Sequence, residues 1–165
     1  MEFRLAKTAW GWAAAVGKAG AVRRLYIAYP SRPSLLKDVL REFGAADESR
    51  GAFGRLVETL RAYFKGERVE WLDIPTDLTG TPFQKKVWRT AMAIPYGETR
   101  TYGWIARQVG APGASRAVGN ALGRNPVPLI VPCHRVVRSD GSLGGFSAKQ
   151  GVALKKRLLR LEQAL

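Results

Sequence analysis

Short apolar runs separated by a glycine-containing turn mark the beginning of the chain and predict β structure. Apolar and aromatic residues dominate positions 9–16 and 22–29, on either side of Gly17-Lys-Ala-Gly20. Two such runs joined by a short turn with glycine are typical of a β-hairpin. We therefore expect two antiparallel strands here.

The apolar positions that follow recur every three or four residues, which predicts three helices that each bury one face. The three stripes are Leu35, Leu36, Val39, Leu40 and Phe43; Phe53, Leu56, Val57, Leu60 and Phe64; and Phe83, Val87, Ala91 and Ile94. Pro95-Tyr-Gly97 ends the third helix. Residues 74–82 are rich in Pro, Gly and Thr and predict a linker, so we expect one domain over residues 1–79 and another over residues 80–165.

Residues 101–122 carry the pattern of a helix-turn-helix. One helical face bears Tyr102, Ile105, Ala106 and Val109. Residues 110–114 break that helix, and Ser115 is placed to cap a second helix over residues 116–122. The pattern alone does not separate a DNA-binding motif from an ordinary helical hairpin. Small residues on the second helix suit close approach to a narrow groove, and Arg116 either enters the base stack or contacts phosphate.

A last apolar stripe predicts a C-terminal helix that begins at Ser147, with Gln150 three residues on completing a capping box. The side chains expected to be buried are Leu154, Leu158, Leu161 and Leu165. Glu162 lies near the end of this helix, where a carboxylate is poorly matched to the helix dipole. It is either a solvated surface side chain or the partner of a group such as an imidazole.

The formal net charge of +14 is unevenly distributed. Residues 1–79 carry 13 Lys and Arg against 10 Asp and Glu, whereas residues 80–165 carry 14 against 3. The second half is suited to a polyanion such as nucleic acid, although basic charge alone equally serves solubility. No run approaches the ~18 apolar residues of a membrane span, and the first residues mix charges, so we expect a soluble cytoplasmic protein with no membrane contact.

The one cysteine of the chain, Cys133, directly precedes its one histidine, His134. A free thiol is mostly protonated at neutral pH, and an imidazole that takes its proton makes a sulfur nucleophile. In a regular strand the two side chains would point apart, so either the chain turns here or a water connects them. The alternative is a small buried Cys beside a His with no chemical role. Cys and His are too few for a zinc site, so no metal is expected.

Six motifs in the second half resemble those of the O6-alkylguanine-DNA alkyltransferases, also called methylated-DNA-protein-cysteine methyltransferases. They are Ile94-Pro-Tyr-Gly-Glu98, Thr101-Tyr102, Ser115-Arg-Ala-Val-Gly-Asn-Ala-Leu122, Asn125-Pro-Val-Pro128, Pro132-Cys-His-Arg-Val136 and Gly144-Gly-Phe-Ser147. The resemblance covers residues 81–165 in unbroken order, whereas the first 80 residues resemble the variable N-terminal domain of the family only in length and general pattern. It implies an α/β (α+β) fold, in which a small antiparallel sheet with helices precedes a mostly helical domain.

The resemblance also implies a function, namely repair of O6-alkylguanine in double-stranded DNA by a monomer that needs no cofactor and transfers the alkyl group irreversibly to its own cysteine. The implied catalytic residues are Cys133, His134, Glu162, Tyr102 and Asn125. The implied DNA contacts are Tyr102, Gly103, Ser115, Arg116 and Ser139. The implied base pocket consists of Pro128, Val136, Phe146 and Ser147.

Each implied role corresponds to a step of the reaction. Tyr102 helps to turn the damaged nucleotide out of the duplex and later donates to the leaving base, while Arg116 fills the gap in the stack. His134 takes the thiol proton through water, and Glu162 orients the imidazole. Asn125 orders the segment between the recognition helix and the active site.

Two other functions would use the same residues. A thiol hydrolase of the Cys-His kind would use the same pair, but its His usually comes from elsewhere in the sequence and the basic half is then unexplained. A non-catalytic sensor would bind alkylated DNA and recruit a partner, but relatives of that type replace the nucleophile that Cys133 provides. Transfer of label from an alkylated oligonucleotide to the protein separates all three.

Overall fold

The computed structural model describes residues 1–165, which form two compact units, Met1–Leu78 and Thr79–Leu165. The division lies one residue from the predicted boundary, inside the segment rich in Pro, Gly and Thr. The mixture of strands and helices confirms the predicted α/β class. None of the helices combines the length and the apolar sequence needed to cross a membrane.

A four-stranded sheet of order β3-β2-β1-β4 forms the centre of the first unit. Its strands are β1 (Glu2–Thr8), β2 (Gly11–Lys18), β3 (Ala21–Tyr29) and β4 (Asp47–Glu48). The predicted hairpin is confirmed by the antiparallel pairing of β2 with β3, and β1 extends it on the other side of β2. The apolar pattern did not reveal β1, because its buried positions include the small Ala6 and the polar Thr8. It did not reveal β4, because both side chains of that strand are exposed.

Two helices complete the first unit, and both were predicted. They are α1 (Arg32–Phe43) and α2 (Gly54–Phe64). Ser31 caps α1, and its side chain accepts a hydrogen bond from a backbone N–H of the first turn. Leu35 and Val39 pack with residues of the sheet in one core. Leu40 is 41% exposed, so its predicted burial is wrong, because it lies about 100° around the helix from Val39 and beyond the contact face.

The second unit contains four helices and a two-stranded sheet. Its elements are α3 (Pro82–Met92), β5 (Arg100–Thr101), α4 (Tyr102–Gln108), α5 (Ser115–Gly123), a 3₁₀ turn (Cys133–Arg135), β6 (Val136–Val137) and α6 (Gly151–Leu161). A capping box between Thr81 and Gln84 begins α3. The indole nitrogen of Trp88 on α3 donates to the carbonyl of Ala121 on α5 at 2.8 Å, so a buried hydrogen bond joins these helices.

The predicted helix-turn-helix consists of α4 and α5. The Thr101 hydroxyl caps α4 by accepting from the backbone nitrogen of Trp104 at 3.0 Å. The capping role predicted for Ser115 is wrong, because Ser115 is already the first helical residue and Ala114 precedes it at the cap position. No side chain caps α5, and the hydroxyl of Ser115 is left for other contacts.

Helix α6 begins at Gly151, four residues later than predicted. The capping box of Ser147 and Gln150 is wrong, because Gln150 itself occupies the cap position and its side chain makes no capping bond. The buried side chains of α6 are Leu154, Lys155, Leu158 and Leu159. Leu165 is 59% exposed, contrary to prediction, because the helix ends at Leu161 and no longer directs later residues to the core.

Candidate active site

A cavity of about 560 Å³ lies between the helix-turn-helix and the segment that follows the cysteine. The predicted site residues that line it are Tyr102, Ser115, Arg116, Cys133, Phe146 and Ser147. Pro128, Val136, Gly103 and Ser139 lie outside its lining. The structure therefore gathers side chains from four separate segments of the sequence around one cavity. No group of three or more His, Cys, Asp or Glu side chains is placed to hold a metal ion.

Parallel pairing of two short strands brings Tyr102 beside the cysteine. Strand β5 ends immediately before Tyr102, and strand β6 begins immediately after the Cys133–Arg135 turn. Arg100 pairs with Val136, and Thr101 pairs with Val137. This pairing explains how two side chains that are distant in sequence come to line the same cavity.

The chain turns at Cys133, which is the first of the two alternatives left open by the sequence. In the 3₁₀ turn, successive side chains point about 120° apart. The thiol of Cys133 consequently lines the cavity, while His134 is directed elsewhere and is only 1% exposed.

Asn125 fixes the loop after α5 and contacts the sulfur. Its Nδ2 donates to Cys133 Sγ at 3.2 Å and to the carbonyl of Val131 at 2.8 Å. Its Oδ1 accepts from the backbone nitrogen of Val127 at 3.0 Å. Asn125 is buried, so these hydrogen bonds hold its amide in one orientation, with a donor directed at the sulfur.

The sulfur of Cys133 is a thiol in the resting protein. Burial raises the pKa of Cys133, and the hydrogen bond from Asn125 and the positive charge of Lys155 lower it only in part. A thiol with a raised pKa must pass its proton to a base before it can act as a nucleophile.

His134 has a defined tautomer because its partner is a carboxylate. Its Nε2 lies 2.8 Å from Glu162 Oε1. Burial lowers the pKa of His134, although Glu162 opposes this effect, so the ring is neutral at pH 7. A carboxylate only accepts hydrogen bonds, so Nε2 carries the ring proton and Nδ1 keeps its lone pair. Nδ1 is buried and has no hydrogen-bond partner in the protein, which leaves it available to receive a proton.

Glu162 is buried in contact with His134, which is the second of the two alternatives considered for it. Arg135, which the sequence pattern did not single out, holds the same carboxylate in two places. Its Nε donates to Oε2 at 2.9 Å, and its Nη2 donates to Oε1 at 3.0 Å. Burial alone would raise the pKa of Glu162, but the contacts with His134 and Arg135 outweigh it and hold this pKa well below its usual range. The carboxylate is therefore ionised, and the guanidinium balances its charge.

Lys155 is a second buried cation that sequence reasoning missed. Its Nζ donates to the carbonyl of Val136 at 2.6 Å, and burial lowers its pKa to about 8. The sequence does hold a signal for this burial. Lys155 follows Leu154 and precedes Leu159 by four residues, so it lies inside the apolar stripe of α6.

Tyr102 forms one wall of the cavity as a protonated phenol. Burial and the neighbouring Cys133 raise its pKa, so its hydroxyl keeps a proton to donate at neutral pH. Gly144 passes closely over the ring with a φ of +70°, and a Cβ at this position would lie 2.5 Å from the Tyr102 hydroxyl oxygen. Both the conformation and the contact require glycine.

Arg116 lies in the first turn of α5 and is exposed at the cavity. Two further polar side chains line the cavity that were not predicted, Asn120 on the same helix and Arg138 after β6. The exposed Ser139 adjoins Arg138 in the turn that follows β6. Gly103 on α4 faces Ser115 on α5, since a Cβ there would lie 3.6 Å from the Ser115 hydroxyl oxygen.

Comparison with known proteins identifies the family. Residues 82–164 match the family model described as 6-O-methylguanine DNA methyltransferase, DNA binding domain. The chain belongs to the O6-methylguanine DNA methyltransferase family. It is 54% identical over 114 residues to the methylated-DNA--protein-cysteine methyltransferase of Mycobacterium bovis, a match that covers 69% of this chain and 67% of that protein. The protein of the same name from Methanosarcina acetivorans is 49% identical over 115 residues, covering 70% of this chain and 72% of its own length.

Solved structures of O6-methylguanine methyltransferases resemble nearly the whole chain. Mycobacterium tuberculosis OGT in complex with DNA has a TM-score of 0.84 and 41% identity, covering 99% of this chain and 94% of its own. The O6-methylguanine-DNA methyltransferase of the hyperthermophilic archaeon Pyrococcus kodakaraensis has a TM-score of 0.74 and 28% identity, covering 97% and 98%. The family predicted from six motifs is confirmed, and the likeness extends to the first 80 residues.

Proposed function

We propose that this protein repairs alkylated DNA by moving the alkyl group from guanine O6 to the sulfur of Cys133. Relatives at about half identity are named methylated-DNA--protein-cysteine methyltransferases, a reaction that requires a cysteine of the protein as acceptor. The carrying observation is that this chain has one cysteine and that its sulfur lines the cavity. The acceptor is therefore Cys133.

The thiol proton moves to Nδ1 of His134 through a water molecule. The ring then becomes an imidazolium, whose Nε2–H continues to donate to Glu162. The ionised carboxylate stabilises that charge in a buried place, and Arg135 keeps the carboxylate ionised and in position. Asn125 donates to the sulfur as it becomes a thiolate, because hydrogen bonds to a charged acceptor are the stronger ones.

The thiolate attacks the alkyl carbon in line with the bond that breaks. The S–C bond forms as the C–O bond opens, and the electron pair leaves with the guanine oxygen. The Tyr102 hydroxyl donates to the leaving base as negative charge develops on it. The product is a thioether, which presents no carbonyl for water to attack, so the sulfur is not regenerated and each molecule acts once.

The substrate is double-stranded DNA whose damaged nucleotide has turned out of the helix. Flipping a base costs a few kcal/mol, and the cavity of about 560 Å³ is in the size range that holds a small organic ligand. Phe146 and Ser147 contact the base from the lining, with Pro128 and the backbone at Val136 behind them. The solved OGT structure with DNA supports DNA as the partner, as does the basic charge of the second unit.

The other DNA contacts follow from the helix-turn-helix. Helix α5 offers small residues to the duplex, and Arg116 at its start occupies the space that the flipped base leaves. Tyr102 assists rotation of the nucleotide, and Gly103, Ser115 and Ser139 contact the backbone.

Transfer is tested by mass spectrometry after incubation with a duplex that contains one O6-methylguanine. One added methyl group is expected on the peptide that contains Cys133, and it should be absent from the Cys133→Ala variant, which still binds DNA. A methyl group on any other residue would refute the acceptor. Removal of the lesion without labelling of the protein would favour a hydrolase. Binding of the alkylated duplex without transfer of the methyl group would favour a sensor.

The role of Arg116 is tested by comparing two substrates. Arg116→Ala should slow repair of the duplex far more than reaction with the free base O6-benzylguanine, because only the duplex has a gap to fill. Lys85→Ala, at a partly exposed lysine on α3 away from the cavity lining, is the control. Equal losses on both substrates would exclude the intercalating role.

A further inference from the structure

Lys155 is fully buried, and the chemistry proposed above does not use it. Its Nζ lies within hydrogen-bond distance of three oxygens, the carbonyls of Val136 at 2.6 Å and Gly145 at 3.3 Å and the Tyr102 hydroxyl at 3.4 Å. An ammonium has three protons to donate and no lone pair. The three oxygens therefore match the hydrogen-bonding capacity of the charged side chain.

The direction of the hydrogen bond to Tyr102 has a chemical consequence. Because an ammonium cannot accept, the Tyr102 oxygen must accept from Lys155. The proton of the Tyr102 hydroxyl is then directed away from Lys155, and the side chain of Tyr102 lines the cavity. A neutral amine in the same place would accept that proton and turn the hydroxyl away from the cavity.

We propose that Lys155 is a positioning residue that orients the Tyr102 hydroxyl so that its proton points into the cavity, towards the leaving base. This inference rests on the proposed alkyl transfer to Cys133. Lys155 touches neither the sulfur nor the base in this scheme, and acts through Tyr102. Its bonds to the carbonyls of Val136 and Gly145 keep the ammonium in place from two further segments.

The surroundings of Lys155 make the orientation of the Tyr102 hydroxyl sensitive to pH. The titratable and charged groups that act on it or respond to it are Tyr102 on α4, Cys133 and His134 in the 3₁₀ turn and Arg138 after β6. Burial lowers the pKa of Lys155 to about 8, whereas the pKa of Tyr102 is raised above its ordinary value. Lys155 consequently loses its proton before Tyr102 does, and between these two pKa values a neutral amine faces an intact phenol.

The first experiment needs no change at Lys155. Rates of benzyl transfer from O6-benzylguanine are measured from pH 6 to 10 for wild-type protein and for Tyr102→Phe. The thiol of Cys133 ionises in both proteins, so its effect cancels when the wild-type rate is divided by the rate of Tyr102→Phe. We expect a ratio of about 100 near neutral pH, the usual effect of one lost donor. This ratio should be about tenfold smaller at a pH one unit above the Lys155 pKa, where roughly nine-tenths of the amine is neutral. A ratio that stays constant up to the ionisation of Tyr102 overturns the proposal.

The second experiment is a double-mutant cycle at pH 7. Lys155→Met should slow transfer by a factor at least tenfold larger in the wild-type background than in the Tyr102→Phe background, because the route through that hydroxyl is absent from the second background while the effect of the Lys155 charge on the pKa of Cys133 is common to both. Lys156→Met, at the exposed neighbouring lysine of α6, is the matched control and should change neither rate. Equal losses in both backgrounds overturn the proposal, and if Lys155→Met does not fold, the pH ratio decides alone.

Failure of this inference is distinguishable from failure of the proposed function. Mass spectrometry of the wild-type protein first establishes whether Cys133 carries the benzyl group. If it does not, the proposed function is wrong. If it does and the pH ratio is constant, alkyl transfer stands and the role of Lys155 is wrong.

Discussion

Replacing Glu162 by Gln removes the charge that balances a buried guanidinium, and we expect it to weaken the second unit and slow its chemistry. The carboxylate accepts hydrogen bonds from His134 at 2.8 Å and from Arg135 at 2.9 and 3.0 Å. A Gln amide has only one oxygen, and its nitrogen would face the donors of Arg135. Arg135 is itself buried, so its charge would lose its only salt-bridge partner.

The expected loss of stability follows from this burial. Removing one partner of a buried ion pair costs about 3–5 kcal/mol, because the other charge remains in the interior. Glu98→Gln is the matched control, since Glu98 pairs with Arg100 at 2.7 Å but its side chain is 49% exposed. An exposed pair is worth only about 0–1 kcal/mol. The loss in free energy of unfolding should therefore be several times larger for Glu162→Gln than for Glu98→Gln.

The measurement must report on residues 79–165 alone, because two units can unfold in separate steps. Hydrogen exchange in increasing urea, read by mass spectrometry of peptides from this unit, gives its free energy of unfolding. At pH 7 we also expect alkyl transfer to slow about 100-fold in Glu162→Gln, the usual contribution of a general base, because His134 loses its fixed tautomer.

The pH dependence provides an independent check. The pKa of Glu162 is lowered in the folded protein, so the unfolded chain takes up the proton more readily. Its contribution to stability is thus fully present above the unfolded pKa of about 4.3 and is lost as pH falls towards the folded value. Glu162→Gln should flatten the acid side of the stability profile of this unit. Equal losses in Glu162→Gln and Glu98→Gln, or an unchanged acid side, would refute the reasoning.

Three further predictions concern the cavity. Gly144→Ala should slow transfer about 100-fold, the usual cost of a displacement of about 1 Å, because its Cβ would collide with the Tyr102 hydroxyl. Gly141→Ala, with a φ of +83° and open space around it, is the control for backbone strain, and equal single-turnover rates for the two variants would exclude the contact. Asn125→Ala should raise the pKa of Cys133 further, so iodoacetamide should label the thiol only at higher pH than in wild type; an unchanged labelling profile would contradict this. Transfer by wild-type protein should be nearly independent of pH from 6.5 to 7.5, because the pKa of the thiol is raised, that of His134 is lowered and Lys155 is still charged; a rate that changes tenfold over this range would contradict this order.

Local features of the sequence predicted most of the elements and the reactive pair. Helices α1, α2 and α3 were found because their apolar residues recur every three or four positions, and the hairpin β2–β3 because two apolar runs flank a turn with glycine. The predictions failed where a boundary depends on backbone conformation, as at Ser115 and Ser147, or where a side chain lies at the edge of a stripe, as at Leu40.

What the sequence determined by itself was the identity of the chemistry: one cysteine beside one histidine, six family motifs and a basic second half. Only the tertiary structure decided which groups govern that chemistry. Contacts between α4, α6 and the 3₁₀ turn determine the burial of Arg135, the hydrogen bond from Lys155 to Tyr102, the tautomer of His134 and the meeting of Tyr102 with Cys133. Such contacts join residues far apart along the chain, and burial changes the free energy of a charge in a way that no local pattern records.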